Sequence, residues 1–168
     1  MMSSSDPKRE EIKQQILDWI SQEKDWKVEL FDEKVQEENN YYFYCRVILS
    51  ENTNCNVAIE KDVERVNVMV NAAFAKDDAS SYKLSPDRHR FWIDIRISLA
   101  QMGVNVAAIP NVEELAGLQV SKLIYFDGWS HDKFIETLLK VTDGLIVAEL
   151  YFKNLADSMR RRHRDQKQ

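Results

Sequence analysis

Glycine is scarce in this sequence, and the few present stand apart. Gly103, Gly117, Gly128 and Gly144 are isolated, so no glycine-rich loop is available to cradle a phosphate. No serine sits in a Gly-x-Ser-x-Gly elbow. The three histidines, His89, His131 and His163, are scattered without metal-ligand spacing, so neither a metal nor another cofactor is expected. No window approaches the unbroken apolar run of a membrane span. The first nine residues are polar and carry no apolar stretch behind a basic start, so they do not read as a secretory signal.

Cysteine is nearly absent as well. Cys45 and Cys55 are the two present, and a hairpin turn over residues 50–54 would set Leu49 opposite Cys55 and Cys45 opposite Ile59. That register leaves the thiols too far apart for the roughly 5.5 Å Cα spacing of a disulfide. Reduced thiols in a cytoplasmic protein fit best. Cys45 reads as a small buried hydrophobe in an apolar strand, not as a nucleophile.

What is present describes an ordinary soluble domain. The chain has 168 residues, 44% hydrophobic and 30% charged, enough for one domain with a proper core. The formal charge of -5 argues against a general nucleic-acid binder. No repeat, low-complexity linker or compositional break marks a second domain, so residues 1–168 are read as one. Residues 1–5 are expected to be a loose tail, and 160–168 a basic helix end or tail.

The most ordered pattern lies at the C-terminal end. Phe134, Leu138, Val141, Leu145, Ala148, Phe152, Leu155 and Met159 alternate in steps of four and three, a heptad seam along one helix face. A second row, Ile135, Leu139, Ile146 and Leu150, is expected to widen that stripe. Ser130 and Asp132 mark the start, and the arginines from Arg160 to Arg164 suit the far end of the helix dipole. Gly144 is the weak point, and a strand over residues 145–152 is the rival reading. The seam keeps its phase across Gly144, as a strand would not, and the glycine can serve a close backbone approach. A helix from His131 to His163 would run about 50 Å at about 1.5 Å per residue. A compact chain of this size is near 40 Å across, so Leu155 and Met159 are expected on an overhang.

Earlier segments read as follows. Asp6-Pro7 starts a helix with Ile12, Ile16, Trp19 and Ile20 on its buried face, ending near Lys24. Four strands then form an antiparallel meander, with a polar loop over residues 32–40 between the first two. The second, from Tyr41 to Leu49, has two apolar faces and is expected at the centre. Residues 76–83 read as a mobile polar loop. Ser85-Pro86-Asp87 opens another helix. In it Phe91, Ile93, Ile95, Ile97 and Leu99 alternate as in a strand, while Phe91, Trp92, Ile95, Leu99 and Met102 form a helical stripe. The start signal and Gly103 at the end decide for a helix. A short strand stopped at Pro110 follows, then a loop over residues 111–117 and a β-rich run from Leu118 to Phe126.

The fold class is therefore α+β: an antiparallel sheet of five to six strands with an N-terminal helix, a central helix and a long C-terminal helix. That order resembles the type III secretion chaperone-like fold. The segment Ile124-Tyr125-Phe126-Asp127-Gly128-Trp129-Ser130-His131-Asp132-Lys133-Phe134 resembles a pattern in an uncharacterised archaeal family of domain-of-unknown-function proteins, where an Asp-Gly turn leads into Lys-Phe and a long apolar helix. Proteins of the chaperone-like fold dimerise and bind extended segments of other proteins. The resemblance therefore implies a homodimer with a protein segment as partner.

No catalytic constellation stands out. Ser130, His131 and Asp132 are neighbours that cannot converge as a triad, and capping accounts for all three. Asp94 beside Arg96 reads as a solvated face with ordinary charge pairs. The sequence itself names no function. The expected one is a non-enzymatic interaction or chaperone-like domain acting as a homodimer, with Tyr42, Tyr44, Phe152, Leu155 and Met159 as candidate contacts. The alternative is a small-molecule or enzymatic site between sheet and helices. A third reading gives the terminal arginines to nucleic acid. The acidic body and the lack of interleaved aromatics speak against it.

Overall fold

The computed structural model describes residues 6–166. The tail expected over residues 1–5 lies outside these, as do residues 167 and 168. In chain order the elements are α1 (Pro7–Gln22), β1 (Lys27–Leu30), α2 (Glu33–Glu38), β2 (Tyr41–Ser50), β3 (Thr53–Glu60), β4 (Arg65–Ala73), α3 (Lys76–Leu84), α4 (Arg88–Gln101), β5 (Asn105–Ile109), β6 (Gly117–Tyr125) and α5 (His131–Asp165). The six strands run antiparallel in the order β1-β2-β3-β4-β6-β5. The expected α+β class and its three principal helices are present.

The chain divides into two compact units. One comprises Met1–Met69 with Leu123–Leu138, the other Val70–Lys122 with Leu139–Gln168.

In the first unit, the side chain of Asp6 accepts from the N–H groups of Lys8 and Arg9, and Pro7 occupies the first turn of α1. Ile12, Ile16 and Ile20, each four residues from the next, are buried. Each such side chain contributes on the order of 2 kcal/mol when removed from water. Trp19 stacks on Trp129 with ring centroids 5.4 Å apart. The Trp129 indole N–H donates to Gln15 Oε1 at 2.8 Å. Arg9 is buried and satisfied: its Nε donates to the Glu60 carbonyl at 2.9 Å, its guanidinium pairs with Asp6, and it lies over the Phe126 ring.

Strand β2 pairs with β1 on one side and β3 on the other, as its two apolar faces suggested. The hairpin is tighter than expected, with Ser50 opposite Thr53. Cys55 therefore faces Val47 and Cys45 faces Val57, two residues away from the anticipated partners. Both thiols are free and buried. The stretch over residues 32–40 is not all loop. Asp32 Oδ1 accepts from the Val35 N–H at 2.9 Å and opens the short helix α2.

The second unit holds the larger departures. Residues 76–83, read as a mobile loop, lie in α3. No side chain caps its start, and tertiary packing of Tyr82 compensates. Tyr82 is 1% exposed, and its hydroxyl donates to the Val112 carbonyl at 2.8 Å. Its ring lies near Phe91 and Phe152, and Phe152 stacks on Phe74 with centroids 3.6 Å apart. Gly103, at φ +74°, ends α4 in the left-handed conformation that favours glycine.

Helix α5 runs unbroken through Gly144, so the rival strand over residues 145–152 does not form. The expected overhang does not form either. Met159 is buried, Arg160 pairs with Asp78 of α3, and Arg162 pairs with Asp87 at 2.9 Å. The helix end is bound by the very helix that the polar sequence concealed. The second apolar row also departs from expectation. Leu139, Ile146 and Leu150 do not widen the buried stripe; they are 48%, 55% and 55% exposed. At about 100° per residue they lie roughly 140–180° around the axis from Val141, on the opposite face.

Candidate functional site

The candidate contacts fall into two groups. Tyr42 and Tyr44 are half-exposed on β2. The Tyr42 hydroxyl donates to Glu10 Oε2 at 2.7 Å. Burial, and then this carboxylate, push the Tyr42 phenol up to about 12. Tyr44 accepts from Asn56 Nδ2 at 3.0 Å and stacks on Phe31 with centroids 4.2 Å apart. Both rings are therefore held in place by their own unit. Phe152 and Met159 are packed inside the second unit and present no outward surface. Leu155 is half-buried, beside Phe91, Tyr151 and Arg162 in a groove of about 430 Å³. Tyr42 and Tyr44 thus belong to the first unit, and Phe152, Leu155 and Met159 to the second.

A different arrangement does gather apolar groups at an open edge. Strand β5 is the last strand of the sheet and pairs with β6 alone, Val106 opposite Val120 and Ala108 opposite Leu118. Its other edge has no strand partner among the described residues. Residues directly opposite share a sheet face. Val106 and Ala108 therefore point to the same side as buried Val120 and Leu118. Beside that edge runs α4, which is apolar on two sides. Phe91, Ile95 and Leu99 are buried, whereas Ile93 and Ile97 are 56% and 54% exposed. Between them lies a groove of about 390 Å³ lined by Ile93, Arg96, Ile97, Ala100, Val104, Asn105 and Val106. Asp94 pairs with Arg90 across 3.8 Å and not with Arg96. Arg96 has no ion-pair partner among the described residues.

The sequence carried the signal for this groove in another guise. The alternation from Phe91 to Leu99 looked like a strand because the helix has apolar residues on opposite faces. Every fourth residue from Phe91 packs inward, and the two isoleucines between them face out.

Elsewhere the chemistry is sparse. No group of histidine, cysteine or acidic side chains among the described residues could hold a metal ion. Ser130 Oγ accepts from the Lys133 N–H at 3.2 Å, and the His131 ring packs edge-on against Trp19. The Ser130–Asp132 segment acts as a helix start.

Residues 12–150 match the model of a family described as an uncharacterized conserved protein (DUF2299). The chain belongs to this family. Its fold is similar to the crystal structure of an uncharacterized protein from Methanothermobacter thermautotrophicus. The two share 20% sequence identity with a TM-score of 0.69, covering 84% of this chain and 96% of that one. No curated protein matches. The segment from Ile124 to Phe134 lies within the matched region. Its Asp-Gly turn is a 3-10 turn over Phe126–Gly128, leading directly into α5.

Proposed function

We propose that this DUF2299 chain is a non-enzymatic interaction domain, chaperone-like, that acts as a homodimer and takes an extended segment of another protein. The observation that carries the reading is the α4–β5 groove at the unpaired edge of the sheet. An added strand would pair its main chain with β5 and place alternate side chains against Ile93 and Ile97. Arg96, without an internal counterion, selects a segment that carries a carboxylate within reach of the apolar positions. The element order, which resembles the type III secretion chaperone-like fold, supports the same reading. Tyr42, Tyr44 and Leu155 are half-exposed and offer further contacts. We place the protein in the cytoplasm, where Cys45 and Cys55 stay reduced.

Selection of short random peptides displayed on phage, followed by amide shift mapping on the labelled full chain, tests this. Selected peptides should alternate apolar residues and include an Asp or Glu. Their shifts should concentrate on residues 105–109 and on α4. Ile97→Glu should abolish binding, and Arg96→Glu should shift selection toward basic peptides. Peptides that bind elsewhere, or no selection at all, would overturn the assignment.

A further inference from the structure

We infer that a second copy of this chain seats antiparallel on the outer face of α5, with Ile146 against the second copy's Leu150 and Asp143 against its Lys153. This rests on the homodimer reading above and gives it a geometry. The outer row continues in heptad steps from Leu139 through Asp143, Ile146 and Leu150 to Lys153. Asp143 and Lys153 are both exposed, and neither has an ion-pair partner among the described residues. The row is thus an apolar centre with an unneutralised carboxylate at one side and an unneutralised ammonium at the other.

The charges choose the orientation. A parallel pair would set Asp143 against Asp143 and Lys153 against Lys153, two repulsive contacts. An antiparallel pair about a two-fold axis between Ile146 and Leu150 makes Asp143–Lys153 twice, because in such an interface each contact occurs in both directions. They also choose the register. Sliding the helices by one heptad sets Asp143 against the second copy's Ile146, an unpaired carboxylate on the apolar centre. The stated register matches apolar to apolar and acid to base at the four central positions. Beyond them Leu139 lies opposite the second copy's Asp157, whose carboxylate pairs with Arg160 of its own helix.

Four outward apolar side chains meet at the centre, two from each copy, so the contact is modest. The charge pairs therefore carry a readable share of its affinity. The test is the sedimentation of the full chain at micromolar concentration. The wild type should be a dimer. Asp143→Lys and Lys153→Asp should each weaken it roughly tenfold or more. The double variant Asp143→Lys/Lys153→Asp should restore it; in a parallel pair each single reversal would only exchange one like-charge contact for another, leaving no broken pair to restore. Both positions are exposed, so the fold tolerates the changes, and regained dimer in the double variant excludes misfolding as the cause. A wild-type dimer untouched by either reversal, or a double variant without recovery, overturns this geometry and leaves the homodimer reading standing. A wild-type monomer overturns both, while peptide capture at the α4–β5 groove is scored separately.

Discussion

Gly144 lies so close to Val120 that a Cβ added there would come within 3.0 Å of the valine Cγ1. Val104 Cγ2 is equally near. A glycine in mid-helix gives up about 1 kcal/mol against alanine. Here it lets α5 approach two β-branched side chains that are themselves buried, Val120 at 0% and Val104 at 3% exposure. Such side chains have little rotamer freedom with which to yield. Overpacking of a filled core costs about 1–3 kcal/mol, enough to outweigh the propensity gain. Gly144→Ala should therefore lower stability by about 1 kcal/mol net. Val120→Ala in the same chain should relieve the added methyl, so the paired change is less than the sum of the two. Urea unfolding of the four species reads the coupling directly.

The two thiols provide a second check. Burial pushes both Cys45 and Cys55 up to about 12, with the neighbouring Cys55 adding to the effect on Cys45. Thiolate is the reactive form, so neither should be alkylated in the native protein near neutral pH. Both should react on unfolding. Rapid labelling of either thiol under native conditions would show that this part of the sheet opens.

Much of this architecture is legible in the sequence wherever period and punctuation agree. Asp6-Pro7 and Ile12, Ile16 and Ile20 mark α1 unambiguously. The heptad seam from Phe134 to Met159 carries α5 past Gly144. The legible features fail where stability comes from distant packing. Helix α3 contains Ser80 and Ser81 and lacks a capping side chain, so propensity alone reads it as loop. Tyr82 and the ion pair from Asp78 to Arg160 hold it. The two exposed apolar faces are visible only as anomalies: a helix alternating like a strand, and a second apolar row beside a seam that needed none. Each anomaly is a helix with two apolar faces, one more than its own fold consumes. Opposite faces cannot be assigned to core or surface until the sheet is in place.

Stability should fall at both ends of the pH range, for separable reasons. The hydrogen bond from Tyr42, followed by that from Lys13, lowers the Glu10 carboxyl below its ordinary 4.5. A lowered acid contributes stability above its unfolded value, which is lost as pH falls through the folded one. The raised groups work the opposite way. Tyr42, ordinarily near 10, and the two cysteines, ordinarily near 9, all titrate at about 12 in the fold. Their contribution is complete below the unfolded values and disappears as pH climbs through the folded ones. Tyr42→Phe should therefore move the Glu10 carboxyl back toward its ordinary value. It should also remove the late phenolate absorbance step near 12. NMR titration of the Glu10 carboxyl and ultraviolet titration of the phenols measure the two effects. An unchanged Glu10 would show that the hydroxyl does not hold it.

The cluster of Phe74, Tyr82, Phe91 and Phe152 should behave as the anchor of α3. Phe152 is 3% exposed, stacked face to face on Phe74 and set edge-on to Phe91. Phe152→Ala removes a ring from a filled interior and should destabilise by about 3–5 kcal/mol. Tyr82→Phe keeps the ring and removes only the hydroxyl, leaving the Val112 carbonyl without its donor. That change should cost about 1 kcal/mol. Beyond their size, the two should differ in reach. Losing Phe152 strips packing from α5 as well as α3, so unfolding by urea should shift for the whole second unit. Losing the Tyr82 hydroxyl affects only the tie between α3 and the segment around Val112, so faster hydrogen exchange should be confined to residues 76–84 and 111–116. If Tyr82→Phe instead accelerates exchange along α5, the hydroxyl is holding more than that one loop.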